Sequence, residues 1–89
     1  MRAEPFNDVV DVVVLEGRRV RLTFENGEVR DIDLARFLWG PAFEDIATDD
    51  ELFRAVRVDP EVGSLVWPNG SDISPETLYR HSEPAARAS

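Results

Sequence analysis

From Val9 to Leu15 the chain reads VVDVVVL, an apolar run broken only by Asp11. The run is too short for a helix of ordinary length, and its β-branched side chains favour a pleated surface, so it predicts a largely buried strand. Glu16 and Gly17 suit a two-residue turn. After them RRVRLTFE alternates, with Val20, Leu22 and Phe24 on one face and Arg19, Arg21, Thr23 and Glu25 on the other. A period of two with one apolar face predicts a strand that is wet on one side. Asn26-Gly27 supplies the positive φ angles of a type I′ hairpin turn, and the chain returns as EVRDIDL. Val29 is out of step with Ile32 and Leu34, which predicts a β-bulge near Arg30 and Asp31. The chain is thus expected to open with a three-stranded antiparallel meander.

Helical signals follow. Asp33 is placed to cap a short turn, LARFLW, which Gly40-Pro41 must end, and Pro41 can itself open the turn AFEDIA. Thr48 and Glu51 have the T-x-x-E spacing of a capping box, and Leu52, Phe53 and Val56 continue as an apolar stripe, so residues 49–55 are expected to be helical. VRVD and SLVW flank the turn-forming stretch from Pro60 to Gly63 and read as a second hairpin, with Leu65 and Trp67 on one face and Val66 on the other. Pro68-Asn69-Gly70 turns the chain sharply, with Asp72 expected to accept backbone N–H bonds inside the turn. Ser74-Pro75 is an N-cap followed by proline at the first helical position, which starts the turn SPETLYR and folds Ile73, Leu78 and Tyr79 back over the sheet. Trp67 or Tyr79 should then be substantially buried. The closing SEPAARAS has no core-forming residue and is expected to fray.

The order of elements is that of an α+β fold: an antiparallel sheet, made of a three-stranded meander plus a second hairpin, packed with short helices. One small domain is expected over residues 1–81, with a flexible C-terminal tail at residues 82–89. No internal repeat interrupts this organisation.

Composition narrows the functional classes. A chain of 89 residues buries only roughly 60 to 65% of its unfolded surface, so the core is small. Ten cationic side chains, all arginine, face eighteen acidic ones for a net charge of −8. Such a balance repels phosphate backbones and anionic lipid, which argues against nucleic acid and membrane as partners. The absence of cysteine removes disulfides, thiolate metal sites and thiol nucleophiles. MRAEPFNDVV lacks a leader-like apolar run, and no segment approaches the roughly 18 apolar residues of a membrane span, so a cytoplasmic protein is expected.

Candidate chemistry is sparse. His81, the single histidine, has no cysteine or G-x-S-x-G serine to activate and reads as a solvated side chain. Asp49, Asp50 and Glu51 fall in a first helical turn, where negative charge complements exposed N–H groups. Asn69, Gly70 and Asp72 lack the spacing of a calcium loop. No catalytic residue, cofactor site or metal ligand is therefore assigned. Two surfaces are weighed as partner-binding candidates. Arg19 and Arg21, with Arg18 or Arg30 beside them, would form a basic patch, unless they pair across strands with Glu25, Glu28 or Asp31. Trp39, Trp67 and Tyr79 are either core aromatics or interface anchors, and exposure would decide between the two.

The succession LTFENGEVRDIDL, GPAF, DDELFRAVRVD and LVWPNGSDISPETLY resembles, over residues 8–80, the small bacterial family catalogued as domain of unknown function 2442. Its most specific part is the closing run W-P-N-G-x-D-I-x-P-E-x-L-Y. The resemblance implies a compact α+β domain with no established activity, partnered or neighboured by small toxin-like proteins, and it carries over no catalytic residue. Some members continue into a helix-turn-helix. This chain stops at Ser89, so action on DNA would need another protein. The expected function is a non-catalytic protein-interaction module, the acidic antitoxin-like or regulatory partner of a small basic protein, or one that associates with itself. The alternative is a small-ligand or enzymatic domain using a pocket between the Trp39 corner and the Asn69 turn.

Overall fold

The computed structural model describes residues 7–85; residues 1–6 and 86–89, on which part of the leader and tail expectations fell, lie outside it. Strands β1 (Val9–Val14), β2 (Arg19–Phe24) and β3 (Val29–Asp33) form the expected meander. A 3₁₀ turn (Leu34–Phe37) and two helices, α1 (Pro41–Thr48) and α2 (Asp50–Arg54), follow. Strands β4 (Arg57–Asp59), β5 (Ser64–Val66) and β6 (Asp72–Ile73) make a second antiparallel sheet in the order β4-β5-β6. Helix α3 (Pro75–His81) leads into β7 (Glu83–Pro84), which completes the first sheet in the order β1-β2-β3-β7. The class is α+β, and the second hairpin has a sheet of its own.

One core joins the layers. Val9, Val20, Leu22, Phe24 and Ile32 of the first sheet meet Leu34 and Leu38, Ile46 and Phe53 of the helices, and Leu65, Trp67, Ile73 and Leu78 of the second half. Trp67 is 1% exposed. Its Nε1–H donates to the Phe53 carbonyl at 3.2 Å, and the rings of Phe43 and Phe53 lie 6.3 and 6.4 Å from its own. Leu65 is buried with it while Val66 is half-buried, as strand parity requires.

Several local expectations are corrected. The β2–β3 register runs without interruption from Arg19↔Asp33 to Thr23↔Val29, so there is no bulge at Arg30 and Asp31. Val29 instead faces water opposite Thr23, and Arg30 takes the inner position opposite Leu22. A cation is tolerated there because its guanidinium lies 4.7 Å over the Tyr79 ring and donates to both Oγ and the carbonyl of Ser82, each at 2.7 Å. The register shift falls in β1, between Val9 and Asp11, leaving Val10 unpaired. Being an edge strand, β1 is also far from buried: Val10 and Val13 are 55% and 50% exposed. The loop between β2 and β3 is not type I′. Of Asn26 and Gly27 only the glycine has a positive φ, 93°, and its N–H donates to the Phe24 carbonyl within a three-residue loop. Between β1 and β2 the bond from Leu15 N–H to the Arg19 carbonyl likewise closes three residues, not two.

The caps of the 3₁₀ turn and α3 stand where the sequence puts them: Asp33 Oδ1 accepts the Ala35 N–H, and Ser74 Oγ accepts that of Thr77. The box at Thr48 and Glu51 does not form. Thr48 is still in α1 and donates its hydroxyl to the Glu44 carbonyl, whereas Asp49 is extended and its Oδ1 accepts the N–H groups of Glu51 and Leu52. In the Pro68–Ser71 turn the accepting side chain is Asn69, which holds the Ser71 N–H at 3.0 Å, while Asp72 pairs with Val66 in the ladder. The tail expectation also changes. Ser82 is buried, Glu83 and Pro84 pair with Asp31 and Arg30, and the Ala85 N–H donates to the Val29 carbonyl. Pairing here covers the β3 edge, and Pro84, which lacks an N–H, is tolerated because β7 is itself the last strand.

Candidate functional site

The four arginines considered as one patch are divided among three places. On the wet face of the first sheet, Arg21 grips the neighbouring Asp31 with Nε (2.8 Å) and Nη2 (3.1 Å), a bidentate pair that holds the arginine pKa above its usual value. Arg19 reaches the same carboxylate at 3.6 Å. Arg30 lies on the opposite face, pairing with Glu28 at 3.0 Å. Arg18 passes beneath the helices, donating to the Ala47 carbonyl, pairing with Asp50 at 2.8 Å and lying 4.9 Å from the Phe53 ring centre. Of these four, Arg18, Arg21 and Arg30 are thus committed within the fold and Arg19 only loosely, and Asp31 is the cross-strand partner that the alternation allowed.

The three aromatic candidates separate as sharply. Trp67 belongs to the core. Tyr79 is half-buried, edge-on to Phe24 at 5.1 Å, and its hydroxyl donates to Glu28 Oε2 at 2.8 Å. That bond, with further donors from Asn26 and Arg30, holds the Glu28 carboxyl below its ordinary pKa, and it raises the Tyr79 phenol in turn. Trp39 is 75% exposed. It stands at the corner between the 3₁₀ turn and α1, where Gly40 (φ 89°) is the N-cap and Pro41 the first helical residue. The Asn69 turn does lie against this corner: Asn69 Nδ2 and Ser71 Oγ both donate to the Ala42 carbonyl, at 3.2 and 3.0 Å. Those bonds stitch the two segments together and fix the direction of the chain beneath Trp39.

A concavity of about 500 Å³ opens elsewhere, between the end of β3, the 3₁₀ turn, the last residue of α3 and β7. Arg19, Arg36 and His81 line it together with Asp31, Asp33 and Glu83, and Ile32, Ala35 and Pro84 supply its apolar surface. Arg36 donates to the His81 carbonyl at 3.2 Å and stacks on Phe37, whose ring is also 5.4 Å from that of His81. Sequence reasoning did not find this place. Arg36 and His81 are 45 residues apart and meet only because α3 returns across the end of β3, which neither local pattern encodes. Among the described residues no group of three or more His, Asp or Glu side chains could hold a metal ion. No helix there is long and apolar enough to cross a membrane.

Comparison with known proteins adds one finding. Neither a curated protein nor a solved structure matches the chain. A family model described as Protein of unknown function (DUF2442) matches residues 9–84, which span the whole fold from β1 to β7 and include both Trp39 and the groove. The chain belongs to the DUF2442 family.

Proposed function

We propose that this chain is a non-catalytic protein-interaction module, the acidic, antitoxin-like or regulatory member of a pair with a small basic protein, working in the cytoplasm without direct contact to nucleic acid or membrane. The observation that carries this reading is Trp39. A tryptophan left 75% exposed is a large apolar surface in water, and tryptophan is among the residues that dominate interface energetics when a partner covers them. Its corner is preorganised by Gly40, Pro41 and the two bonds onto the Ala42 carbonyl, so little backbone ordering is required on binding. The net charge of −8 steers a cationic partner and opposes a second copy of the same chain. The other polar groups considered have internal tasks: Tyr79 and Glu28 bond to each other, and Asp49 caps α2.

The test uses the protein encoded beside this one, titrated calorimetrically. Binding should weaken as salt is raised, and Trp39→Ala should lower the affinity by roughly tenfold or more while leaving the melting temperature unchanged. Two components that remain separate at low salt would refute the proposal, as would a Trp39→Ala variant that binds as well as the parent.

A further inference from the structure

We propose that the groove between β3, the 3₁₀ turn and β7 is a binding site for a small aliphatic monocarboxylate, held at its head by Arg36 and Arg19. The inference rests on which charged donors the fold leaves uncommitted. Arg18, Arg21, Arg30 and Arg80 are each within 3.0 Å of a carboxylate oxygen. Arg36, like Arg54 and Arg57, forms no ion pair among the described residues, but of these three only Arg36 lines the concavity, and one of its five N–H groups is used, on the His81 carbonyl. Arg19 reaches Asp31 only at 3.6 Å, beyond hydrogen-bond distance, whereas Arg21 bonds both oxygens of that carboxylate. Two guanidinium groups with unspent donors therefore border one concavity on a molecule of net charge −8. Stacking on Phe37, at 5.0 Å, presents the Arg36 fork as a plane, the geometry that matches a carboxylate.

The remaining lining selects among anions. Asp31, Asp33, which caps the 3₁₀ turn, and Glu83 place three negative charges in the same lining as the two arginines, a repulsion that any anion meets and that grows with ligand charge, so a monoanion is disfavoured less than a phosphate or other polyanion. Ile32, Ala35 and Pro84 offer an apolar surface for a short hydrocarbon body, and about 500 Å³ is within the size range of small-molecule sites. This site lies apart from Trp39 and does not depend on the protein-partner reading.

The experiment is a titration of the isotope-labelled full chain with hexanoate and, separately, with inorganic phosphate, followed by amide chemical shifts. Hexanoate should give saturable shifts centred on Ile32, Ala35, Arg36, His81 and Glu83, and phosphate weaker ones. Arg36→Gln should reduce the hexanoate affinity by roughly tenfold while leaving the other resonances in place, as expected for loss of a charge-assisted bond, and Arg36→Lys should recover only part of it. Absence of saturable shifts, equal affinity in Arg36→Gln, or tighter binding of phosphate than of hexanoate would each overturn the proposal.

Discussion

Truncating Trp67 to alanine would remove the side chain on which both halves of the core converge. Its indole lies among Phe43 and Phe53 and is anchored through Nε1 to the backbone of α2. A cavity of that size in a small domain should cost roughly 3 to 5 kcal/mol, as deletion of a large buried aromatic usually does, and urea denaturation of Trp67→Ala against the parent reads it directly. An unchanged unfolding midpoint would contradict the packing. Trp39, of identical chemistry, should show no such penalty, since 75% of its surface remains in water. The sequence permitted this division without deciding it. Parity within SLVW puts Trp67 beside Leu65, but Trp39 follows an irregular turn, where no period assigns a side.

Capping gives the sharpest contrast at the level of elements. Asp49→Ala removes the acceptor of two N–H groups in α2 and should destabilise the fold by roughly 1 kcal/mol, whereas Thr48→Ala deletes only a hydroxyl bonded back onto Glu44 and should stay within about 0.5 kcal/mol. Equal effects in thermal melts would mean that the helix begins where the T-x-x-E spacing placed it. The two candidates are adjacent acceptors, and pattern alone could not rank them. What decides is that α1 continues through Thr48, leaving Asp49 as the first extended residue. The strands and short helices were legible wherever a period or turn chemistry marked them, as in Val20-Leu22-Phe24 and Ser74-Pro75. Burial was not. Val10 and Val13 look like core residues in a one-dimensional pattern, yet the strand that carries them lies at a sheet edge. Nor was β7 legible, because Glu83-Pro84 has no strand propensity of its own and is held by the β3 edge.

Across the whole molecule, the bond from Tyr79 to Glu28 joins residues 51 apart and ties α3 to the connection between β2 and β3. Its pH dependence has two limbs. Glu28 has a lowered pKa in the fold, so its contribution is present above the unfolded carboxyl value of roughly 4.3 and is lost as pH falls through the depressed folded value. Tyr79 has a raised pKa, so its contribution is full below the ordinary phenol value near roughly 10 and is lost as pH rises through the higher folded one. Melting temperatures of Tyr79→Phe and the parent, measured from acid to alkali, should therefore differ most between the two limbs and converge at both extremes. Parallel curves across the range would show that ionisation of this pair is not linked to stability. Neither this link nor the groove could be read from the chain, since both join residues whose separation is set only by the fold.

The pairing of β7 with β3 also has a consequence in time. Arg30 waits for Ser82, 52 residues later in the chain, and at translation rates of roughly 5 to 20 residues per second that delay is about 3 to 10 seconds. Hairpins form in microseconds, so the β1–β3 meander can assemble on the ribosome long before the segment that covers its β3 edge exists. During those seconds the nascent sheet presents an open edge and a guanidinium without its eventual acceptors, and strands of neighbouring nascent chains can compete for that edge until β7 arrives.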